Sequence, residues 1–136
     1  MNKKLAKEWL TASWHNLATA RLLYDVEHFT DVIAVEIHYS CEKSLKSFLA
    51  HENKRILKTH NLIELYKQSN VDLLFGETEF DLLDEISKYH IEASYPSMNR
   101  HLPDLKKIKE VLEFAEILFA TVSKELQISK ESIIHD

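Results

Sequence analysis

Three side chains that could do chemistry recur every four residues in one segment: His38, Glu42 and Lys46. Residues four apart are neighbours on one face of a helix, so an imidazole, a carboxylate and an ammonium group lie in a line. A histidine and a glutamate one turn apart are a possible pair of metal ligands, but no second pair is present to complete a site. We therefore predict no metal or cofactor, a buried hydrogen bond between His38 and Glu42, and an ion pair between Glu42 and Lys46.

A basic segment follows this line of side chains. Positions 43–60 contain five Lys or Arg residues against one acid. Lys43 and Lys46, with His60 at the start of a predicted short helix and the free amides of that helix, would favour a phosphate group. Tyr95 could stack on the base of a bound nucleotide. The candidate nucleotide or anion site is therefore His38, Glu42, Lys43, Lys46, His60 and Tyr95, although solvated lysines and a helix-capping histidine would explain the same pattern.

A ribonuclease is the catalytic alternative. It needs a histidine to take the proton of the RNA 2′-hydroxyl group and a cation to stabilise the charged phosphorane. His60 could take the proton, and either Lys46 or Arg55, which is separated from His60 by four residues, could supply the cation. The chain contains no glycine-rich phosphate loop, which excludes ordinary kinase or ATPase chemistry.

The elements that position these residues are predicted to be helices. One glycine and two prolines in 136 residues are too few for the turns of a sheet protein. Apolar residues with helical spacing predict helices over 3–27, 31–52, 60–68, 77–93 and 104–127. We predict an all-α fold, an up-and-down antiparallel four-helix bundle with one short additional helix, as a single domain over 1–128 with a frayed tail over 129–136. Docking of Ile133 and Ile134 on the body is the alternative for this tail.

The central element of this bundle is the helix predicted over 31–52. Its apolar stripe must be buried, and it comprises Ile33, Ile37, Cys41, Leu45 and Phe48. Thr30 is the expected N-cap of this helix. Gly76 is the one residue that could adopt a positive φ without strain, between the third and fourth helices.

Charge and cysteine content limit the possible partners and location. A formal net charge of −5 argues against binding of duplex DNA. A single cysteine, Cys41, permits no internal disulfide and suggests a reducing compartment. The sequence shows neither a leader peptide nor an apolar run long enough to span a membrane, so we expect a cytoplasmic protein that does not bind membranes.

Four sequence features together resemble the HEPN domain family: a first helix with a tryptophan and an alanine-rich face, EKSLKSFL at 42–49, THNL at 59–62 and YP at 95–96. The resemblance spans about 7–126 and implies a helical bundle that is often dimeric. It further implies binding of nucleotides, action beside a minimal nucleotidyltransferase, or metal-independent RNA cleavage in toxin and defence systems. Ribonuclease members carry Arg, four to six residues and His near the fourth helix, and many other members carry Arg-Tyr-Pro there.

This sequence departs from both patterns. Ser94 replaces the arginine of Arg-Tyr-Pro, Arg100 and His101 are adjacent, and Arg55 and His60 lie in a different element. The resemblance therefore implies the non-nuclease, nucleotidyltransferase-associated type. We predict a non-catalytic homodimeric module that binds a nucleotide or a nucleotidyltransferase partner. A purely structural dimer, with Trp9 and Trp14 at its interface, is the remaining alternative.

Overall fold

The computed structural model describes residues 2–69, 76–94 and 102–134, with the backbone alone for 92–94. This part of the chain contains six helices and no strand: α1 Lys3–Asp25, α2 Thr30–His51, α3 Leu62–Ser69, α4 Glu77–Ser94, α5 Leu105–Glu125 and α6 Lys130–Ile134. The predicted all-α fold is confirmed. The four long helices α1, α2, α4 and α5 form the bundle, and α3 is the short additional helix.

Helix α2 is the central element of the bundle. Fourteen of its 22 residues are buried, including the predicted stripe of Ile33, Ile37, Cys41, Leu45 and Phe48. It contacts α1, α3, α4 and α5, whereas the other helices contact fewer partners. Because α2 is enclosed on most sides, even its polar residues are buried, and each needs a partner within the chain.

Helices α1 and α2 form an antiparallel hairpin. The amide of Asn2, at the start of α1, donates to the carbonyl of His51 at the end of α2 (2.9 Å). Small residues allow the two helices to approach closely in their middle. The Ser13 hydroxyl group donates to the carbonyl oxygen of Ser40 (2.7 Å), and its oxygen lies 2.8 Å from the hydroxyl oxygen of Ser44. This contact fixes the register between the two helices.

The tryptophans of α1 are half-buried and pack within the chain. Trp14 lies against Phe119 of α5, with ring centroids 5.6 Å apart. The Lys46 ammonium group lies 5.5 Å from the centre of the Trp9 ring. Both rings therefore contribute to the interior of the bundle.

The ends of the helices differ from the predictions at several points. Thr30 is the first residue of α2 and not its cap, and the N-cap Phe29 makes no side-chain hydrogen bond. Gly76 does not have a positive φ. Instead, left-handed φ values occur just after α1, α2 and α5, at Glu27 (54°), Asn53 (57°) and Gln127 (55°).

These three residues close their helices by the same hydrogen-bond pattern. After α5, the amide of Ile128 donates to the carbonyl of Ser123, and the amide of Gln127 donates to that of Lys124. This is the Schellman arrangement, which satisfies the last carbonyl groups of a helix. It usually contains glycine, and the chain builds it with other residues.

In the tail, the structure shows the docking that the sequence offered as the alternative to fraying. Residues Lys130–Ile134 form the short helix α6, and Ile133 is buried against the body. Burial of one large aliphatic side chain stabilises such a segment by about 2 kcal/mol, which offsets part of the entropy of ordering it. Residues 135 and 136 lie outside the described residues.

Candidate functional site

Glu42 is the centre of a buried polar cluster beneath the turn between α2 and α3. Its side chain is only 6% exposed. One carboxylate oxygen, Oε2, accepts a hydrogen bond from the Lys46 ammonium group (3.1 Å), and the other, Oε1, accepts one from Nδ1–H of His60 (2.6 Å). A buried carboxylate with a cation on one oxygen and an N–H donor on the other is well compensated for the loss of water.

His38 fixes the turn above this carboxylate. Its ring is fully buried, and its Nε2–H donates to the backbone carbonyl of His60 (2.9 Å). Burial lowers the pKa of His38 to about 4, because the charged ring would lose its hydration, so the ring is neutral. Its Nδ1 has no hydrogen-bond partner among the described residues and lies 3.9 Å from Oε1 of Glu42. The predicted hydrogen bond between His38 and Glu42 is therefore not formed, because His60 occupies that oxygen.

The first turn of α3 is closed by side chains. The Asn61 side chain accepts from the amide of Glu64 (3.0 Å), as expected for a helix cap. The Ser87 hydroxyl oxygen, from α4, accepts from the amide of Leu62 (2.9 Å). Two of the amides predicted to be free for a phosphate group are thus already occupied.

His90, on α4, was not among the predicted site residues. Its ring stacks on His60 with centroids 4.0 Å apart and an interplanar angle of 14°. Burial and the neighbouring His60 ring lower the pKa of His90, although Glu42 opposes this shift. Helical spacing allowed either Tyr89 or His90 at the inward-facing position of α4, and the structure buries Tyr89 and leaves His90 half-buried beside it.

The two stacked rings open onto a cleft of about 1040 Å³ between α3 and α4. The side chain of His60 is 54% exposed there. Ile63 and Ile91 contribute apolar surface, and the charged residues that line the cleft are Glu64, Lys67, Asp84 and Lys88. Lys88 lies 3.5 Å from Asp84. The cleft therefore combines an aromatic wall, apolar surface and two lysines.

The remaining predicted site residues lie elsewhere. Lys43 faces α1, where its ammonium group donates to the side-chain oxygen of Asn16 (2.8 Å). Lys46 is buried at Glu42 and does not line the cleft. Arg55 is exposed and does not line it either. Tyr95 lies outside the described residues, so the structure brings together His38, Glu42, Lys46 and His60 from the predicted set.

Comparison with known families matches residues 6–126 of the chain to the model of the HEPN domain. The chain belongs to the HEPN domain family. Among solved structures, the bundle resembles TT1696 from Thermus thermophilus, with a TM-score of 0.76 and 21% sequence identity over 91% of this chain and 98% of that one. At this identity the likeness concerns the fold. No curated protein sequence matches the chain.

In 2–69, 76–94 and 102–134, no three His, Cys, Asp or Glu side chains converge on a possible metal site. No helix in those ranges has the length and apolar character that a bilayer-spanning segment requires.

Proposed function

We propose that this HEPN domain is a binding module that takes a nucleotide in the cleft between α3 and α4. The observation that carries the proposal is the stacked pair of His60 and His90 at the wall of the cleft. Flat rings and the apolar side chains of Ile63 and Ile91 suit a nucleobase, which binds largely by stacking. The ammonium groups of Lys67 and Lys88 suit the phosphate groups.

This location differs from the one predicted from sequence. Lys43 and Lys46 contact Asn16 and Glu42 and do not line the cleft. The lysines that face a ligand in this proposal are Lys67 and Lys88, of which Lys88 is paired with Asp84. Glu42 and Lys46 instead hold His60 in place from below. The proposed binding residues are therefore His60, His90, Lys67 and Lys88.

Thermal stability with and without millimolar ATP, GTP, AMP and a dinucleotide tests the proposal. A ligand at about 100 times its dissociation constant adds about 2.7 kcal/mol to the free energy of unfolding. We expect one nucleotide to raise Tm for the wild type and to raise it much less for Lys67→Ala. Lys109→Ala removes an exposed lysine of α5 outside the cleft and is the matched control. No shift with any nucleotide contradicts the proposal.

RNA cleavage is the second candidate function, and the hydrogen bond between Glu42 and His60 favours it. A carboxylate that accepts Nδ1–H leaves Nε2 of the histidine as a base, the arrangement used in general base catalysis. Incubation with a fluorescent single-stranded RNA tests this activity. Cleavage by the wild type that is lost in His60→Ala would replace the binding proposal with a ribonuclease.

A partner protein or a second copy of the chain is the third part of the proposal. Trp9 and Trp14 are half-buried against Lys46 and Phe119, so only part of each ring is left for a dimer contact. Exposed apolar side chains instead occur at the turn between α1 and α2, where Leu22, Val26 and Phe29 are 64%, 65% and 71% exposed. Sedimentation of the wild type and of Phe29→Ser tests whether this turn mediates a homodimer. A monomeric wild type would contradict the homodimer and leave binding of a partner protein, such as a nucleotidyltransferase, as the remaining proposal.

A further inference from the structure

We propose that His60 is a phosphoryl-acceptor residue, whose Nε2 atom takes a phosphoryl group from a donor of the phosphoramidate class. The proposal goes beyond nucleotide binding, since it uses the same cleft but requires no nucleotide. It concerns a covalent modification site on this chain.

The hydrogen bond to Glu42 selects the reactive nitrogen of His60. Because the carboxylate accepts Nδ1–H, the proton of the neutral ring is held at Nδ1 and the lone pair lies on Nε2. Nε2 has no hydrogen-bond partner among the described residues. With 54% of the side chain exposed to the cleft, this nitrogen is accessible to a small donor.

The charges around His60 favour the product of the transfer. The Nε2 lone pair forms a bond to phosphorus while the phosphorus–nitrogen bond of phosphoramidate breaks, and ammonia leaves with that electron pair. The proton stays on Nδ1, so the phosphorylated ring carries a positive charge next to Glu42. The carboxylate stabilises this charge, and Lys46 holds the carboxylate by its other oxygen. Lys67 lines the cleft and favours the anionic phosphoryl group. Lys88 also lines it but is paired with Asp84, and Glu64 adds one further negative charge.

Three other histidines in the described part of the chain lack this combination of features. His38 is fully buried, and its pKa of about 4 reflects a ring that solvent does not reach. His15 and His28 are exposed, but neither ring has a carboxylate partner within the described residues. The chain therefore contains its own controls: an exposed imidazole with a carboxylate, two exposed imidazoles without one, and a buried imidazole.

The experiment is incubation of the full chain with potassium phosphoramidate near neutral pH, followed by site-resolved mass spectrometry under conditions that preserve phosphohistidine. We expect His60 to be modified at least about tenfold faster than His28, because one charge-assisted hydrogen bond changes a rate by about this factor. Glu42→Gln should slow the reaction of His60 by a similar factor and leave the rate at His28 unchanged. In this role Glu42 is a positioning residue.

Denaturation supplies a test that does not depend on a variant's ability to fold. In concentrated urea the hydrogen bond to Glu42 is lost, so the ratio of the His60 rate to the His28 rate should fall to about one. Equal rates at the two histidines in the native chain, or no modification of His60, would overturn the proposal. Nucleotide binding is measured separately as a Tm shift, so either proposal can fail alone.

Discussion

Replacement of Lys46 by Met tests whether the buried ion pair supports the fold. Lys46 is 8% exposed, and its ammonium group lies 3.1 Å from Oε2 of Glu42. Methionine fills most of the volume of the lysine stem but leaves the carboxylate with His60 as its remaining partner. Removing one member of a buried ion pair costs about 3 kcal/mol, because the other charge stays buried without compensation. We expect Tm to fall by about 10 °C.

A double substitution separates the ion pair from general damage to packing. In Glu42→Gln with Lys46→Met the buried charge is gone, while the glutamine oxygen can still accept the hydrogen bond from His60. The free energy of unfolding should therefore fall less in the double variant than the sum of its decreases in the two single variants. The expected difference is about 1–3 kcal/mol. Urea unfolding followed by circular dichroism at neutral pH measures all three variants.

Lys43→Met is the matched control for this cycle. Lys43 lies on the same helix, is half-buried, and donates to the neutral side chain of Asn16 instead of a carboxylate. Its replacement should cost about 1 kcal/mol or less. A loss below about 1 kcal/mol for Lys46→Met, or additive losses in the double variant, would refute the reasoning.

Three further predictions concern the rest of the bundle. The pKa of His38 is about 4 in the folded chain and near 6.5 in the unfolded chain. Because the unfolded chain binds the proton at a higher pH, the free energy of unfolding should fall by about 3 kcal/mol as the pH decreases between these values. Urea unfolding of His38→Leu should lack this part of the pH dependence. Leu118→Ala should cost about 2–5 kcal/mol and Ile117→Ala about 0.5 kcal/mol or less in the same assay, because the residues are 1% and 65% exposed. Gln127→Gly should raise the free energy of unfolding by about 1 kcal/mol, because glycine has no Cβ atom to strain the left-handed backbone at this position. An unchanged or lower Tm would contradict this prediction.

Local pattern was sufficient for the helices. The scarcity of glycine and proline and the helical spacing of the apolar residues predicted the five elements. In the structure, each of these helices begins and ends within about two residues of its predicted bounds. The tail was the exception. Whether a five-residue segment forms a helix depends on a surface onto which Ile133 can pack, and no local pattern specifies that surface.

The helix ends show the same limit at the level of single residues. Gly76 is the one residue that could adopt a left-handed conformation without strain, yet Glu27, Asn53 and Gln127 take this conformation. The hydrogen bonds of the Schellman arrangement and the packing of the following residue outweigh the cost of the Cβ atom at these positions. The sequence therefore predicted where these three helices end but not the left-handed residue that follows each of them.

The candidate site divides in the same way between local spacing and tertiary contact. Spacing of four residues by itself determined that His38, Glu42 and Lys46 lie along one edge of α2, because helical geometry is local. Only the tertiary structure decided that Glu42 bonds to His60 and not to His38, and that His90 of α4 stacks on His60. These contacts join residues far apart in the chain, and they depend on how α2, α3 and α4 pack, which the periodicity of each helix does not specify.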